Sequence, residues 1–212
     1  MTIKAIRPPN FGWLEKKLSA EEMKHLWTCI GESKHSIKNK LVGNIHESNL
    51  VLDKDGWFWD NTVSELVYLY EDEFGGLGKR VPTSRQHGYI LPSMWVNYQK
   101  QGEFNPVHGH TGVYSFVIWM KIPTDFKEQN KLPIAANSND PKISAFVLYY
   151  TNTQGGTETF QYELDPTYEG TMLLFPSTFS HAVYPFFNCE EDRISMSGNV
   201  LLDTSRSFNE TV

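Results

Sequence analysis

Between residues 94 and 201 the chain carries six short runs rich in β-branched and aromatic residues: MWVNYQ (94–99), GVYSFVIWMKI (112–122), ISAFVLYY (143–150), TETFQYE (157–163), GTMLLF (170–175) and RISMSGNVL (193–201). Such side chains fit the pleated, half-buried surface of a sheet. Clusters of Gly, Pro, Asn and Asp separate the runs. Short strands in succession can bury their apolar faces only by packing sheet on sheet or by closing a sheet on itself, which predicts a sandwich or barrel. The polar stretch from Thr124 to Lys142 is long for a hairpin loop, and loops of that length are often lids or binding loops.

Before residue 90 the pattern is helical. Ser19 followed by Glu22 is a capping box, and Leu18 and Met23 are spaced as a hydrophobic staple. Met23, Leu26, Trp27 and Ile30 recur at helical spacing, and Gly31 is a plausible stop. A second helix is predicted over 61–74, with Val63, Leu66, Val67 and Tyr70 as its stripe and Gly75-Gly76 at its end. The LVGNIHESNL stretch between them reads neither way. The expected organisation is therefore a helical N-terminal extension (1–90) packed on a β core (91–212), together one structural domain.

The formal net charge of −6 disfavours nucleic-acid partners, because an acidic surface gains nothing from counterion release on a phosphate backbone. Two distant cysteines, Cys29 and Cys189, make no disulfide framework and fit a reducing, cytoplasmic setting. The MTIKAIRPPN start has no apolar secretory core, and no run is long enough to span a membrane. The Asn209-Glu210-Thr211 sequon is then a chance match.

Three segments carry chemistry. In Gly102–His110, a strand or strand end would put His108 and His110, two residues apart, on one face, so that two imidazoles aim at one point. Neutral imidazole suits Fe, Zn, Cu and Ni, although a lone His-x-His is as readily a surface or core pair. In Gly170–His181 a strand runs into a Pro turn followed by a third histidine, His181. In the last run, Arg193, Ser195, Ser197 and Asn199 fall on one face and Ile194, Met196 and Val200 on the other. That polar face is either the solvent side of an edge strand or an inner face whose guanidinium pairs with a ligand carboxylate.

Taken in order, FNPVHGH, FPSTFSH and RISMSGN resemble the 2-oxoglutarate- and Fe(II)-dependent oxygenases, and are similar in particular to those of marine bacteria and their phages. The resemblance covers roughly 90–201. It implies a mostly β fold with buttressing helices, a double-stranded β-helix (a cupin-like jelly roll). It implies Fe(II), 2-oxoglutarate and dioxygen as cofactor and cosubstrates, with iron on His108, His110 and His181. It also implies that Arg193 and Ser195 hold the far carboxylate of 2-oxoglutarate, with Tyr98 or Asn97 adding a hydrogen bond. The implied activity is a hydroxylation that couples decarboxylation of 2-oxoglutarate to succinate with oxidation of a small-molecule or peptidyl substrate. Trp95, Tyr114, Phe116 and Trp119 are candidates to line the cavity, and a homodimer is the expected assembly.

One position departs from the family pattern: a carboxylate usually stands where His110 does. Either His110 replaces it, or His110 points away, or another carboxylate such as Glu103 reaches the metal. Two rival readings share the fold. A three-His cupin dioxygenase or isomerase fits Gly102-x5-His108-x-His110, but the cupin glutamate would fall on Tyr114 or Ser115, and Arg193-x-Ser195 is left without a role. A non-catalytic jelly-roll binding module would leave the histidines idle or closed around a structural zinc.

Overall fold

The computed structural model describes residues 10–205; the Asn209 sequon and the stretch through Pro9 lie outside them. In chain order the elements are β1 (Leu14–Lys17), α1 (Ala20–Glu32), β2 (His35–Ser36), β3 (Glu47–Val51), α2 (Ser64–Phe74), β4 (Tyr89–Ile90) and β5 (Met94–Gln99). These are followed by β6 (Asn105–His108), β7 (Tyr114–Lys121), α3 (Phe126–Gln129), β8 (Phe146–Thr151), β9 (Thr157–Tyr162), β10 (Thr171–Pro176), β11 (Ser180–Val183) and β12 (Arg193–Leu202).

From β5 onward the chain passes back and forth between two antiparallel sheets. The large sheet runs β1-β10-β7-β12-β5-β3-β2, with β4 paired to the end of β12. The small sheet runs β6-β11-β8-β9. This winding is the double-stranded β-helix expected from the sequence. Between the sheets lie Val117 and Trp119 of β7, Leu173 and Phe175 of β10, Phe146 and Leu148 of β8 and Tyr162 of β9. On the other face of the large sheet, Phe116, Ile118, Met172, Leu174, Met196 and Val200 pack against Leu26, Ile30, Val63, Leu66, Val67 and Tyr70 of the helices. β7 is covered on both sides, which is why it reads as a nearly unbroken apolar run rather than an alternating one.

Both helices form as predicted, with shifted ends. The Ser19–Glu22 capping box is present, Ser19 accepting from the Glu22 amide at 3.2 Å and Glu22 from the Ser19 amide at 2.7 Å. α1 runs through Gly31 and ends only at Glu32, and Trp27 is 39 % exposed, off the buried stripe. A π-helical turn, Trp59–Val63, leads directly into α2, whose end is set by Gly75 at φ +84, a conformation that L side chains adopt reluctantly.

All six predicted strands are present within a few residues. The first ninety residues, read as helical, also contribute strands. β3 pairs with β5 along Glu47–Val51, and β1 pairs with β10 along Leu14–Lys17. The Thr124–Lys142 stretch holds α3 and a 3-10 turn, and it is tied down: Phe126 packs with Ala145 and Val147, and Gln129 bonds both backbone groups of Phe187. It lines neither of the cavities described next, so the lid reading finds no support.

Candidate metal centre

The site is built where the small sheet meets the inner face of the large one. His108 is the last residue of β6 and lies directly across from His181 of β11. His110 is already beyond the strand. Its amide donates to the Ser177 carbonyl at 3.0 Å, so the turn through Gly109, not strand alternation, brings it round. Ring centroids are 4.3 Å apart for His108–His181, 4.9 Å for His110–His181 and 5.0 Å for His108–His110. One nitrogen from each ring lies within 4.8 Å of the other two.

The tautomers are set by carbonyls, which can only accept. His108 Nδ1 donates to Pro106 O at 2.7 Å and His181 Nδ1 to Phe179 O at 3.4 Å, leaving both Nε2 atoms as lone-pair donors. His110 Nε2 and His181 Nε2 stand 3.2 Å apart. Two imidazole nitrogens bound at right angles to one ion, each at about 2.1 Å, would be about 3.0 Å apart, so the spacing fits a shared cation. Burial is the main reason all three rings titrate low. His110 is pulled down to about 4, His181 well below the ordinary range, and His108 in the same direction, with mutual repulsion adding to the shift for His110 and His181. The rings are therefore neutral at pH 7, the form that ligates a metal.

Glu103 is not a ligand in this arrangement. Its carboxylate is taken up by the His46 amide and ring and by the Lys100 amide at 2.9–3.1 Å. His110 thus occupies the place where a carboxylate was the alternative.

A cavity of about 270 Å³ opens beside the imidazoles, with Trp95, Asn97, Asn105, His108, His110 and Asn199 among its walls. A smaller one of about 30 Å³ continues inward past His181, Ser195 and Ser197 and shares Trp95, Asn97, His108 and His110 with it. Asn97 faces this space and its oxygen accepts from Ser48 Oγ at 2.7 Å. Tyr98, the next residue of β5, is on the opposite face and packs with the helix-side core, so it does not reach the site. Of the aromatics, Trp95 lies 5.6 Å from the His110 ring, whereas Trp119 is inter-sheet core and Tyr114 packs on Tyr70 and Tyr89 beneath the helices. Phe116 belongs to that same helix-side core and also borders the inner cavity.

β12 presents the predicted polar face. Ile194, Met196 and Val200 enter the helix-side core, while Ser195 and Ser197 line the inner cavity. Arg193 is one side-chain repeat, about 7 Å, beyond Ser195 on that face. It is 2 % exposed, and among the described residues no acid pairs with it. Its Nη2 donates to Ser144 Oγ at 2.7 Å, its guanidinium lies 4.9 Å over the Phe186 ring, and its Nε has no partner. Burial draws it down to about 9, so it is still protonated at neutral pH. Ser144, held at φ +69, is a partner the sequence reading missed, as is Ser177, whose hydroxyl links through Ser115 to Asn199.

A double-stranded β-helix with paired histidines at its inner end and a buried guanidinium on the strand twelve residues past His181 matches the class of 2-oxoglutarate- and Fe(II)-dependent oxygenases, with His110 standing where that class usually has a carboxylate. Residues 93–199 match the family model described as "Putative 2OG-Fe(II) oxygenase", and the chain belongs to that family. Its members use Fe(II), 2-oxoglutarate and dioxygen and act on small-molecule or peptidyl substrates. Among solved structures, the fold is shared with a 2OG-Fe(II) oxygenase family oxidoreductase from Burkholderia pseudomallei (11 % identity, 90 % of this chain and 84 % of that one, TM-score 0.54). It is shared too with a Pseudomonas putida prolyl-4-hydroxylase (14 % identity, 89 % and 91 %, TM-score 0.50). No curated protein matches the chain. No helix among the described residues is long and apolar enough to cross a membrane.

Proposed function

We propose that His108, His110 and His181 hold the Fe(II) and that Arg193, with Ser195 and Asn97, holds 2-oxoglutarate in a hydroxylase. The observation that carries this assignment is the buried Arg193 guanidinium, unpaired on the same strand face that leads to the three imidazoles. An ion buried without a counter-charge costs several kcal/mol. A carboxylate arriving from the imidazole side would offset that cost in a bidentate, charge-assisted contact.

Bound Fe(II) and 2-oxoglutarate would supply the activation of dioxygen, the oxidant, one oxygen atom ending in succinate as carbon dioxide is lost and the other in the hydroxylated substrate. The chain supplies position and shelter. Pro106 and Phe179 carbonyls hold two rings in the ligating tautomer. Ser177 fixes the His110 backbone, and Ser144 and Phe186 hold the guanidinium in place. Ser195 and Asn97 offer hydrogen bonds part-way along, and Phe146, Phe175 and Val183 form the apolar part of the inner cavity wall. The donor set, three neutral nitrogens and no thiolate, would suit Fe(II) as it suits other imidazole-binding metals.

The cupin alternative leaves Arg193 buried without a purpose, and a closed structural zinc site would need a fourth ligand that the cluster of three lacks. The free thiols Cys29 and Cys189 support a cytoplasmic setting. A homodimer and a marine bacterial or phage source rest on the sequence resemblance alone.

The test is anaerobic titration of the protein with Fe(II) and 2-oxoglutarate. A weak visible charge-transfer band is expected, together with succinate release in air. Arg193→Ala is expected to weaken 2-oxoglutarate binding by a hundredfold or so while leaving Fe(II) binding within about threefold. Equal cosubstrate affinity in the variant and the wild type would remove Arg193 from this role.

A further inference from the structure

We propose that the substrate oxidised at this site is a small organic anion whose carboxylate or phosphate group is received by Lys38 and Lys40. The proposal rests on the oxygenase reading above for what is done to the substrate, but not for the anion site itself.

The 3-10 turn Lys38–Lys40 and the loop after it form one wall of the 270 Å³ cavity, and both lysines line it from its exposed rim. Among the described residues they are the only lysines or arginines that do so, and no aspartate or glutamate lines either cavity. Neither ammonium is ion-paired among the described residues, so both are available to a ligand. A cationic substrate would therefore meet two like charges and no counter-charge, and an anionic one would meet two ammonium groups.

The neutral lining points the same way. Asn199 Oδ1 accepts from Ser115 Oγ at 2.8 Å, and Asn97 Oδ1 is taken by Ser48, so each amide is left with its –NH2 group free. Both amides thus offer donors that an acceptor-rich ligand could use. On a chain of net charge −6, a cavity whose only charges are positive also focuses anions against the overall field. The volume suits a metabolite rather than a folded partner.

The lysines are held in place, not adrift. The Ile37 amide donates to Ser48 O at 2.9 Å, and Asn44 bridges Phe104 beside β6, so the turn is anchored at both ends to strands that carry the site. It also lies outside residues 93–199, the segment common to the family model. The catalytic frame and the substrate-selecting wall therefore come from different parts of the chain.

The experiment is calorimetric titration of the anaerobic protein loaded with Fe(II) and 2-oxoglutarate, using matched pairs that differ only in charge. One arm uses N-acetyl amino acids against their carboxamides, the other sugar phosphates against the parent sugars, which separates a carboxylate from a phosphate source. At least one anionic probe is expected to bind about tenfold or more tightly than its neutral partner. The Lys38→Gln/Lys40→Gln double variant is expected to lose that preference while forming the 2-oxoglutarate charge-transfer band at the wild-type cosubstrate concentration. The inference is overturned if no anion outbinds its neutral partner, or if the double variant keeps the preference. It is overturned equally if that variant loses 2-oxoglutarate affinity as Arg193→Ala does, since the lysines would then serve the cosubstrate. Failure of the oxygenase reading would appear separately, as no band in the wild type, and the charge preference would still decide the anion site.

Discussion

At the scale of single residues, the buried ionisable groups fall into two kinds. Glu22 is a structural one. Burial raises its pKa, but hydrogen bonds from Lys16, the Ser19 amide and Thr62 outweigh burial and bring it down to about 2. A carboxylate held below its ordinary value near 4.5 stabilises the fold fully above that value, and the contribution is lost as pH falls towards about 2. The melting temperature of the wild type should therefore exceed that of Glu22→Gln at pH 7, by a margin worth about 1–3 kcal/mol, and the margin should shrink steadily below pH 4.5. A margin independent of pH in thermal melts would show that the carboxylate charge is not what stabilises this corner. Arg193 is of the other kind: among the described residues no carboxylate pairs with it and its Nε has no partner, so saturating Fe(II) and 2-oxoglutarate should raise the melting temperature of the wild type far more than that of Arg193→Ala.

Elements show where local signals are strong and where neighbours decide. β5, β7, β10 and β12 are rich in β formers and sit mid-sheet, and each is found close to where its composition puts it. β6 and β11 are four residues each, Asn-Pro-Val-His and Ser-His-Ala-Val, and carry no such run. They are strands because they pair with each other and β11 pairs with β8, and it is these two that carry His108 and His181. The loop after β6 depends on Gly112, which has φ +119 and where an added Cβ would stand 2.9 Å from Val200 O. Gly112→Ala should cost about 1–3 kcal/mol in denaturant unfolding and weaken Fe(II) affinity, because the His110 turn would have to shift. Unchanged metal affinity alongside lost stability would mean that the turn adjusts independently of the imidazole.

For the whole molecule, the β-helix is not closed by residues 91–212 alone. β3 covers the edge of β5 and β1 that of β10, and α1 and α2 bring Leu26, Ile30, Leu66, Val67 and Tyr70 to the core behind the large sheet. A fragment of 91–212 would expose that apolar face and two unpaired strand edges, so it should aggregate or lack a cooperative unfolding transition, whereas the full chain should unfold in one step. A cooperatively folded fragment with intact near-ultraviolet circular dichroism would instead make the first ninety residues an accessory. The sequence by itself determined the strand-rich half, the capped helices and the residue types able to bind iron and a carboxylate, because period, propensity and donor chemistry are local properties. Only the tertiary structure decided the rest. It turned His110 inward through a backbone bond to Ser177, put Asn97 in the cavity and Tyr98 behind the sheet, spent Glu103 on His46, and brought Lys38 and Lys40 to the mouth from outside the β core. Those outcomes depend on which groups meet across long stretches of chain, and no window of neighbouring residues contains that information.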